Sequence, residues 1–279
     1  MNFVKEDLIK PPINYTGNKF KLLEQILPLF PNEIDTFVDL FGGSGVISCN
    51  VVVKNIFYNE LNSNVYNLVK WLYNANKQDL LEIDSIIQEY NLSKHNKETY
   101  YKFRDKYNED KDIRKLFLLS CYCMNYMIRF NKNGGFNQAC GNGEFSLPMR
   151  ENFLKFSNCN KNIVFLNNSF EQINVDKLNE NDFVYLDPPY FLTVASYNEN
   201  GGWNETLEKR MYELCDKLNE NKIKFAMSNV IQYKNKEHTM LKEWGIKYNI
   251  NELDYQYTKN NLHGKDLTKK DIEVLITNY

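Results

Sequence analysis

The sequence is poor in the residue types that build metal sites and disulfide frameworks. It has three histidines, and none of its six cysteines forms a C-x-x-C pair, so neither a zinc site nor a disulfide framework is predicted. No apolar run approaches the ~18 residues that cross a membrane, and the first ten residues contain two acids and no apolar core of a secretory signal. We therefore expect a cytoplasmic protein with reduced structural thiols and no membrane partner.

Charge of one sign does not dominate either. The 279 residues include 34 lysines and arginines and 36 acids, which gives a net charge of -2. A small net charge does not exclude a nucleic-acid partner, because the local distribution of charge governs that contact. The length suits one large domain or two modest ones.

Short apolar runs that end in polar or glycine-rich segments predict a mainly parallel sheet. The first two runs flank a possible helix, which is a β-α-β signal, and residues 207–221 predict a helix between two later runs. The strand candidates are residues 35–41, 55–61, 162–167, 182–187, 223–229 and 272–277.

A different pattern interrupts this alternation. Residues 62–127 show apolar residues at helical spacing and predict several helices, whereas residues 129–147 predict a hairpin or an extended loop. The order predicts an α/β fold whose doubly wound sheet is formed by residues 1–61 and 161–279. Residues 62–160 are predicted to be a separate, mostly helical insertion.

The first predicted strand ends in a glycine-rich turn. Asp39 is followed by Gly42, Gly43 and Gly45, a composition that lets the backbone approach a ligand closely. Glu60 ends the next predicted strand, where an acid can accept hydrogen bonds from ribose hydroxyls. The plain alternatives are a tight turn without a ligand and a surface acid. The pattern is neither a G-x-G-x-x-G fingerprint nor a phosphate-binding P-loop.

The most specific motif is Asp187-Pro188-Pro189-Tyr190, which directly follows an apolar run. Two prolines fix φ and lack N–H groups, so they predict a rigid turn at the carboxyl end of a strand. Asp187 and the Pro188 carbonyl could accept the two hydrogens of one amino group, and Tyr190 offers a ring face for stacking. A flat base with an exocyclic NH2 suits this set, and the alternative is a purely structural turn.

A third motif lies near the N-terminus. Tyr15 and Lys19 belong to the stretch at residues 12–19, and a helix is predicted over residues 19–29. A lysine at such a junction can meet a carboxylate, and the alternative is a solvated capping segment.

Taken together, these motifs resemble the Dam family of DNA adenine-N6 methyltransferases, the D12 class in its α arrangement, including the bacteriophage Dam enzymes. The resemblance covers nearly the whole chain and follows the order of the family. The matching stretches are residues 15–19, 37–43, 59–60, 127–131, 135–137, 183–195, 197–198, 228–230 and 241–244.

The resemblance implies a Rossmann-like class I methyltransferase sheet, S-adenosylmethionine as the cofactor and no metal. Lys19 would contact the carboxylate of the cofactor, Glu60 its ribose and Phe170 its adenine ring. The implied cofactor-binding set is Tyr15, Lys19, Asp39, Gly42, Glu60, Phe170 and Asp187. The implied catalytic set, which holds the target adenine, is Asp187, Pro188, Pro189 and Tyr190. The implied DNA-binding set, in a recognition segment with a β-hairpin, is Met127, Arg129, Asn131 and Asn137.

The implied reaction is methyl transfer to N6 of an adenine flipped out of duplex DNA, within the common family target GATC. The residues at 138–144 depart from the family pattern, which affects the target sequence more than the reaction. Residues 113–143 contain no acid, which lowers repulsion from phosphates, and the Arg129 fork can bind a guanine edge. A restriction endonuclease in the same cell is a possible partner, and no physical partner is required.

Three alternatives stay open at this point. An RNA guanine-N2 methyltransferase has a related [ND]-P-P-[YF] motif, although such enzymes generally lack the Tyr15-to-Lys19 motif and the long insertion. A cytosine-N4 methyltransferase would more often carry serine at the position of Asp187. A non-catalytic DNA-binding module could have the same methyltransferase fold without the activity.

Overall fold

The computed structural model describes residues 7–15, 17–159, 162–194, 202–234, 236–254 and 271–279. Within these residues, eight strands form one sheet, and they are β1 (Thr36–Asp39), β2 (Asn55–Asn59), β3 (Ile163–Leu166), β4 (Phe183–Leu186), β5 (Lys224–Tyr233), β6 (Lys236–Glu237), β7 (Asn249–Leu253) and β8 (Ile272–Thr277). The α-helices of the same residues are α1 (Leu23–Ile26), α2 (Val46–Asn50), α3 (Ser63–Asn74), α4 (Lys77–Glu89), α5 (Lys97–Asp110), α6 (Ile113–Tyr122), α7 (Leu147–Ser157), α8 (Phe191–Val194), α9 (Glu205–Glu220) and α10 (Thr239–Gly245). None of the described helices combines the length and the apolar character that a membrane crossing needs.

The strand order confirms the predicted α/β fold. The sheet runs β3-β2-β1-β4-β5-β8-β7, and β6 pairs with the end of β5. Strands β1 to β5 are parallel, whereas β8 runs antiparallel to both β5 and β7. The chain winds outward in one direction from β1 and in the other from β4, so the loops after these two strands diverge and open a crevice.

All six predicted strands are present, and the sequence analysis missed β6 and β7. Strand β7 lies at an edge of the sheet and is mostly exposed, so it lacks the apolar run by which the other strands are recognised. The predicted helix over residues 19–29 is broken into α1 and two flanking 3₁₀ turns. Pro28 is the second residue of the second turn, and it lacks the N–H that an α-helix would use.

The insertion between β2 and β3 contains α3 to α7 and, as predicted, a hairpin-like segment. Two antiparallel bridges close that segment, Phe130 with Phe136 and Cys123 with Cys140. Helix α7 was not predicted.

The insertion shares one hydrophobic cluster with a face of the sheet. The side chains of Val69, Tyr73 and Phe156 from α3 and α7 pack around Gly45, at 3.1 to 3.3 Å from the position of a Cβ there. The opposite face of the sheet is covered by α9 and α10. The division into a sheet domain and a recognition domain at residues 62–160 stays a prediction.

Candidate active site

The three acids singled out by the sequence lie at one edge of the sheet. In the strand register, Asp39 is level with Tyr58 of β2 and with Tyr185 of β4. Glu60 and Asp187 each follow one of those tyrosines by two residues. Three carboxyl groups therefore converge beyond the carboxyl ends of three parallel strands, where open α/β sheets bind their ligands.

Close backbone contacts hold the glycine turn after β1. Gly42 has no room for a side chain, because a Cβ there would lie 2.1 Å from Cε2 of Tyr58. The Tyr58 hydroxyl donates to the Gly43 carbonyl at 2.7 Å, and Gly43 has a φ of 52°, which favours glycine. The Tyr15 ring packs over Gly43, with Cδ1 3.2 Å from a Cβ position. The turn therefore needs glycine for its own folding, and it brings Tyr15 to the site.

Glu60 ties this turn to the end of β2. Its Oε2 atom accepts a hydrogen bond from the Gly43 N–H at 3.0 Å, and Oε1 accepts one from the Asn62 N–H at 2.7 Å. Burial raises the pKa of Glu60, while the two hydrogen bonds act to lower it. Each carboxylate oxygen keeps a second acceptor position, so a contact between Glu60 and a ribose stays a prediction that the geometry permits.

Asp39 is almost completely buried, with 1% of its surface exposed. Its Oδ2 atom accepts a hydrogen bond from the Ser48 hydroxyl at 2.6 Å. Burial raises the pKa of Asp39 to about 7, and the negative charges of Asp187 and Glu60 add to the rise. A ligand with positive charge would relieve this repulsion and lower the pKa values. The three acids thus fit the cationic groups of S-adenosylmethionine.

The diproline corner after β4 holds a nitrogen atom that carries hydrogens. The ammonium of Lys19 lies 2.8 Å from Oδ1 of Asp187 and 4.8 Å from the centroid of the Tyr190 ring. Lys19 also donates to the Gly17 carbonyl at 2.8 Å. Burial raises the pKa of Asp187, and Lys19 lowers it. The resemblance implies a contact between Lys19 and the cofactor carboxylate, whereas here its ammonium contacts Asp187 and Tyr190.

An aromatic wall stands beside these charged groups. The ring centroids of Phe41, Phe170 and Trp203 lie 5.5 to 5.7 Å apart in all three pairs. Phe170 was predicted to lie against the adenine ring of the cofactor, and a flat aromatic surface suits such a ring. The sequence analysis missed Trp203. It follows a glycine pair in a polar stretch that predicts only a loop, and no local pattern indicates that its ring packs against Phe170.

The hairpin brings the predicted DNA-binding residues together. The Arg129 Nε donates to Oδ1 of Asn137 at 3.0 Å, and the Asn137 N–H donates to the Arg129 carbonyl at 3.2 Å. Asn131 shapes the turn, because its Oδ1 accepts from the Gly135 N–H at 2.9 Å. Met127 is half-buried at the base of the hairpin. Arg129 is therefore an exposed guanidinium whose orientation Asn137 fixes.

The segment that departs from the family pattern, residues 138–144, is mostly buried. A Cβ on Gly141 would lie 2.4 Å from the Cys123 carbonyl oxygen, and a Cβ on Gly143 would lie 2.5 Å from the Cys121 carbonyl oxygen. The Gln138 amide donates to the Met124 carbonyl at 3.0 Å. The departure thus affects the support of the hairpin rather than its exposed tip.

Six basic side chains of the insertion, between residues 94 and 115, are paired with acids. The ion pairs are Lys94–Glu144, Lys102–Glu98, Arg104–Asp105, Lys106–Glu109, Arg114–Glu82, Arg114–Asp112 and Lys115–Asp110. In the hairpin, Arg129 and Lys132 form no ion pair with any acid that the structure describes. Residues 113–143 contain no acid, but two of their basic side chains are still not free to contact phosphates. Acids outside that segment form ion pairs with Arg114 and Lys115.

Comparison with known proteins identifies close relatives. The model of the family described as "D12 class N6 adenine-specific DNA methyltransferase" matches residues 15–259 of this chain. Type II methyltransferase M.FokI of Planomicrobium okeanokoites is 40% identical over 97% of this chain, and modification methylase StsI of Streptococcus sanguinis is 38% identical over 97%. The chain spans 43% of the length of each of these two relatives. A DNA adenine methylase of Haemophilus influenzae is 24% identical over 65% of the chain and 64% of its own length.

Proposed function

Because the chain belongs to the D12 class of N6 adenine-specific DNA methyltransferases, we propose that it transfers a methyl group from S-adenosylmethionine to N6 of an adenine in duplex DNA. The chain spans 43% of the length of M.FokI and of StsI, so the complete activity of this chain is part of the proposal. The observation that carries it is the corner at Asp187 and Tyr190, which already holds a hydrogen-bearing nitrogen.

The cofactor, when bound, supplies a methyl group on a cationic sulfur. Asp39 would attract its positive charge, and Glu60 would accept hydrogen bonds from its ribose. Phe170 would cover its adenine ring, while Tyr15 and Gly42 would line the turn beside it. Loss of the sulfonium charge on transfer would weaken the attraction to the acids, which favours release of the product S-adenosylhomocysteine.

The target amino group is a poor nucleophile, because its lone pair is delocalised into the purine ring. Asp187 and the Pro188 carbonyl would each accept one of its hydrogens, and Tyr190 would stack on the base. Two acceptors favour a pyramidal nitrogen with an exposed lone pair, and they stabilise the positive charge that grows on it in the transition state. Direct transfer of the methyl group then needs no enzyme nucleophile, and the methylated nitrogen loses one of its two hydrogens as a proton to give N6-methyladenine.

A duplex hides the adenine amino group, so the base has to leave the stack to reach Asp187. Unstacking costs a few kcal/mol, which DNA contacts offset. The hairpin with Arg129, Asn131 and Asn137 supplies such contacts, and an exposed guanidinium can bind guanine O6 and N7 together. Lys132 near the hairpin tip would contact phosphate.

We propose GATC as the target, on the resemblance to the Dam family. The relatives named as a Type II methyltransferase and a modification methylase favour a role in protecting cytoplasmic DNA against a restriction endonuclease. No physical contact with such an endonuclease is needed, because the methylated DNA carries the protection.

The test is methyl transfer from labelled S-adenosylmethionine to matched duplexes with and without GATC, followed by nucleoside analysis. N6-methyladenine in the GATC duplex, lost in Asp187→Ala, is the expected result. Methylation of the other duplex would refute the target but not the reaction. Methylguanine in a structured RNA would support the guanine alternative, and cofactor binding without transfer to any substrate would support the non-catalytic one.

A further inference from the structure

A buried acid outside the recognised motifs connects the walls of the site. Glu208 of α9 is completely buried, with 0% of its surface exposed. A carboxylate without water must be satisfied by donors from the protein. In the part of the chain that the structure describes, four side chains donate to it: the Trp203 indole N–H, the Tyr212 hydroxyl at 2.7 Å, the Asn229 amide at 3.2 Å and the His238 Nε2 at 3.2 Å.

The two oxygens of Glu208 have different partners. Oε1 accepts from Tyr212, Asn229 and His238, whereas Oε2 accepts from Trp203. The His238 Nδ1 accepts the Leu241 N–H at 3.3 Å, so Nε2 is the nitrogen that carries the hydrogen toward Glu208. Among the described residues, the Trp203 indole N–H is the one donor to Oε2, and a charge-assisted hydrogen bond of this kind orients its donor strongly.

Trp203 in turn forms part of the aromatic wall. Its ring lies 5.7 Å from Phe41 in an edge-on contact and 5.5 Å from Phe170 in a tilted one. Phe41 follows β1 and Phe170 follows β3, so these three rings come from separate parts of the chain. Rotation of the indole would therefore displace the surface on which the cofactor adenine is proposed to lie.

We propose that Glu208 is a positioning residue for the cofactor site, and that it acts through Trp203. This inference rests on the proposed function, because it gives Phe170 the adenine ring of S-adenosylmethionine as its ligand. Glu208 does not touch the reacting atoms. It fixes the indole plane, and the indole holds the Phe170 side of the wall in place.

The same carboxylate also reaches the segment behind the catalytic corner. The His238 ring lies 5.5 Å from the ring of Phe191, which directly follows Tyr190. One buried charge is therefore linked to both the aromatic wall and the corner that would hold the target base.

Two substitutions separate this role from general stability. Trp203→Phe keeps a ring in the wall and removes the indole N–H. In Glu208→Gln, the amide oxygen can accept from Tyr212, Asn229 and His238 in place of Oε1. The amide NH2 group then faces the Trp203 indole N–H, and two donors cannot form a hydrogen bond. The matched control is Tyr212→Phe, which removes one donor to Glu208 but leaves the bond to Trp203 and keeps the ring that stacks on Trp244.

The measurements are the dissociation constants for S-adenosylmethionine and for duplex DNA, with thermal unfolding of every variant. We expect Trp203→Phe and Glu208→Gln each to bind the cofactor about tenfold more weakly, or ~1.4 kcal/mol, with DNA affinity unchanged. The double variant should be no weaker than either single variant, because both break the same link. Tyr212→Phe should keep cofactor affinity even where it lowers the unfolding temperature.

Wild-type cofactor affinity in Trp203→Phe would overturn the inference, and so would an equal loss of affinity in Tyr212→Phe. Additive losses in the double variant would also overturn it, because they would show two independent contributions. If the wild-type chain itself binds no S-adenosylmethionine, the proposed function fails instead, and the two failures are thereby distinguished.

Discussion

Replacing Lys19 by methionine tests the electrostatics of the catalytic corner. The variant keeps a long apolar side chain and loses the ammonium that lies 2.8 Å from Oδ1 of Asp187. A neighbouring cation lowers the pKa of a carboxyl group by ~1–3 units, and one unit corresponds to about 1.4 kcal/mol in favour of the charged form. The Asp187 side chain is 18% exposed, so water replaces part of the lost interaction. We therefore expect the pKa of Asp187 to rise in the variant, and the effect on activity to lie at the lower end of that range.

The sign of the kinetic effect follows from the role of Asp187. In the proposed mechanism, Asp187 accepts a hydrogen from the target amino group only as a carboxylate, so methyl transfer should be lost as pH falls through its pKa. Burial already raises that pKa above its ordinary value, and Lys19 opposes the rise. Without Lys19, the acid limb of the pH–rate profile should move to higher pH by about one unit.

The assay is the single-turnover rate of labelled methyl transfer from acid to mildly alkaline pH, with saturating cofactor and duplex. Lys19→Arg keeps the charge and should keep the limb in place. Lys70→Met is a matched control, because it removes an exposed ammonium that lies 5.4 Å from the Tyr66 ring. An unmoved acid limb in Lys19→Met would refute the reasoning. A higher KM for S-adenosylmethionine with an unmoved limb would instead identify the cofactor carboxylate as the partner of Lys19.

Four further substitutions have distinct expected outcomes. Asp187→Ala should abolish transfer and leave DNA binding in a mobility-shift assay largely intact; near wild-type turnover would contradict its role. The pKa of Asp39 is raised to about 7, so the contribution of Asp39 to the free energy of unfolding should fall by about 4 kcal/mol as pH rises from about 4 to 7. Asp39→Asn should flatten this dependence in denaturant titrations and weaken cofactor binding, and an unchanged pH dependence would contradict the assignment. Arg129→Ala should lose ~1–3 kcal/mol of discrimination between target and non-target duplexes. Asn137→Ala should lose part of the same discrimination. Equally weakened binding to all DNA sequences in Arg129→Ala would instead indicate a phosphate contact.

The edge of the sheet that holds the candidate active site was predictable, because each of its motifs is local. A short apolar run followed by glycines or by two prolines reports both a buried strand and the rigid turn after it. Asp39, Glu60 and Asp187 could therefore be placed at strand ends before their register was known. The edge strand β7 could not be predicted, because a mostly exposed strand has no apolar run that distinguishes it from a loop.

The sequence by itself determined the chemistry that is available: which acids end the strands, which rings follow them, and the family to which their order belongs. Only the tertiary structure decided which of these groups form ion pairs, hydrogen bonds or ring contacts with one another. It brought the Lys19 ammonium to Asp187, paired Arg114 and Lys115 with acids, and packed Trp203 between Glu208, which accepts its indole N–H, and the ring of Phe170. The physical reason is the different range of the interactions along the chain. Backbone rules act over a few neighbouring residues, whereas ion pairs and ring contacts depend on distances in space that the packing of separate elements sets.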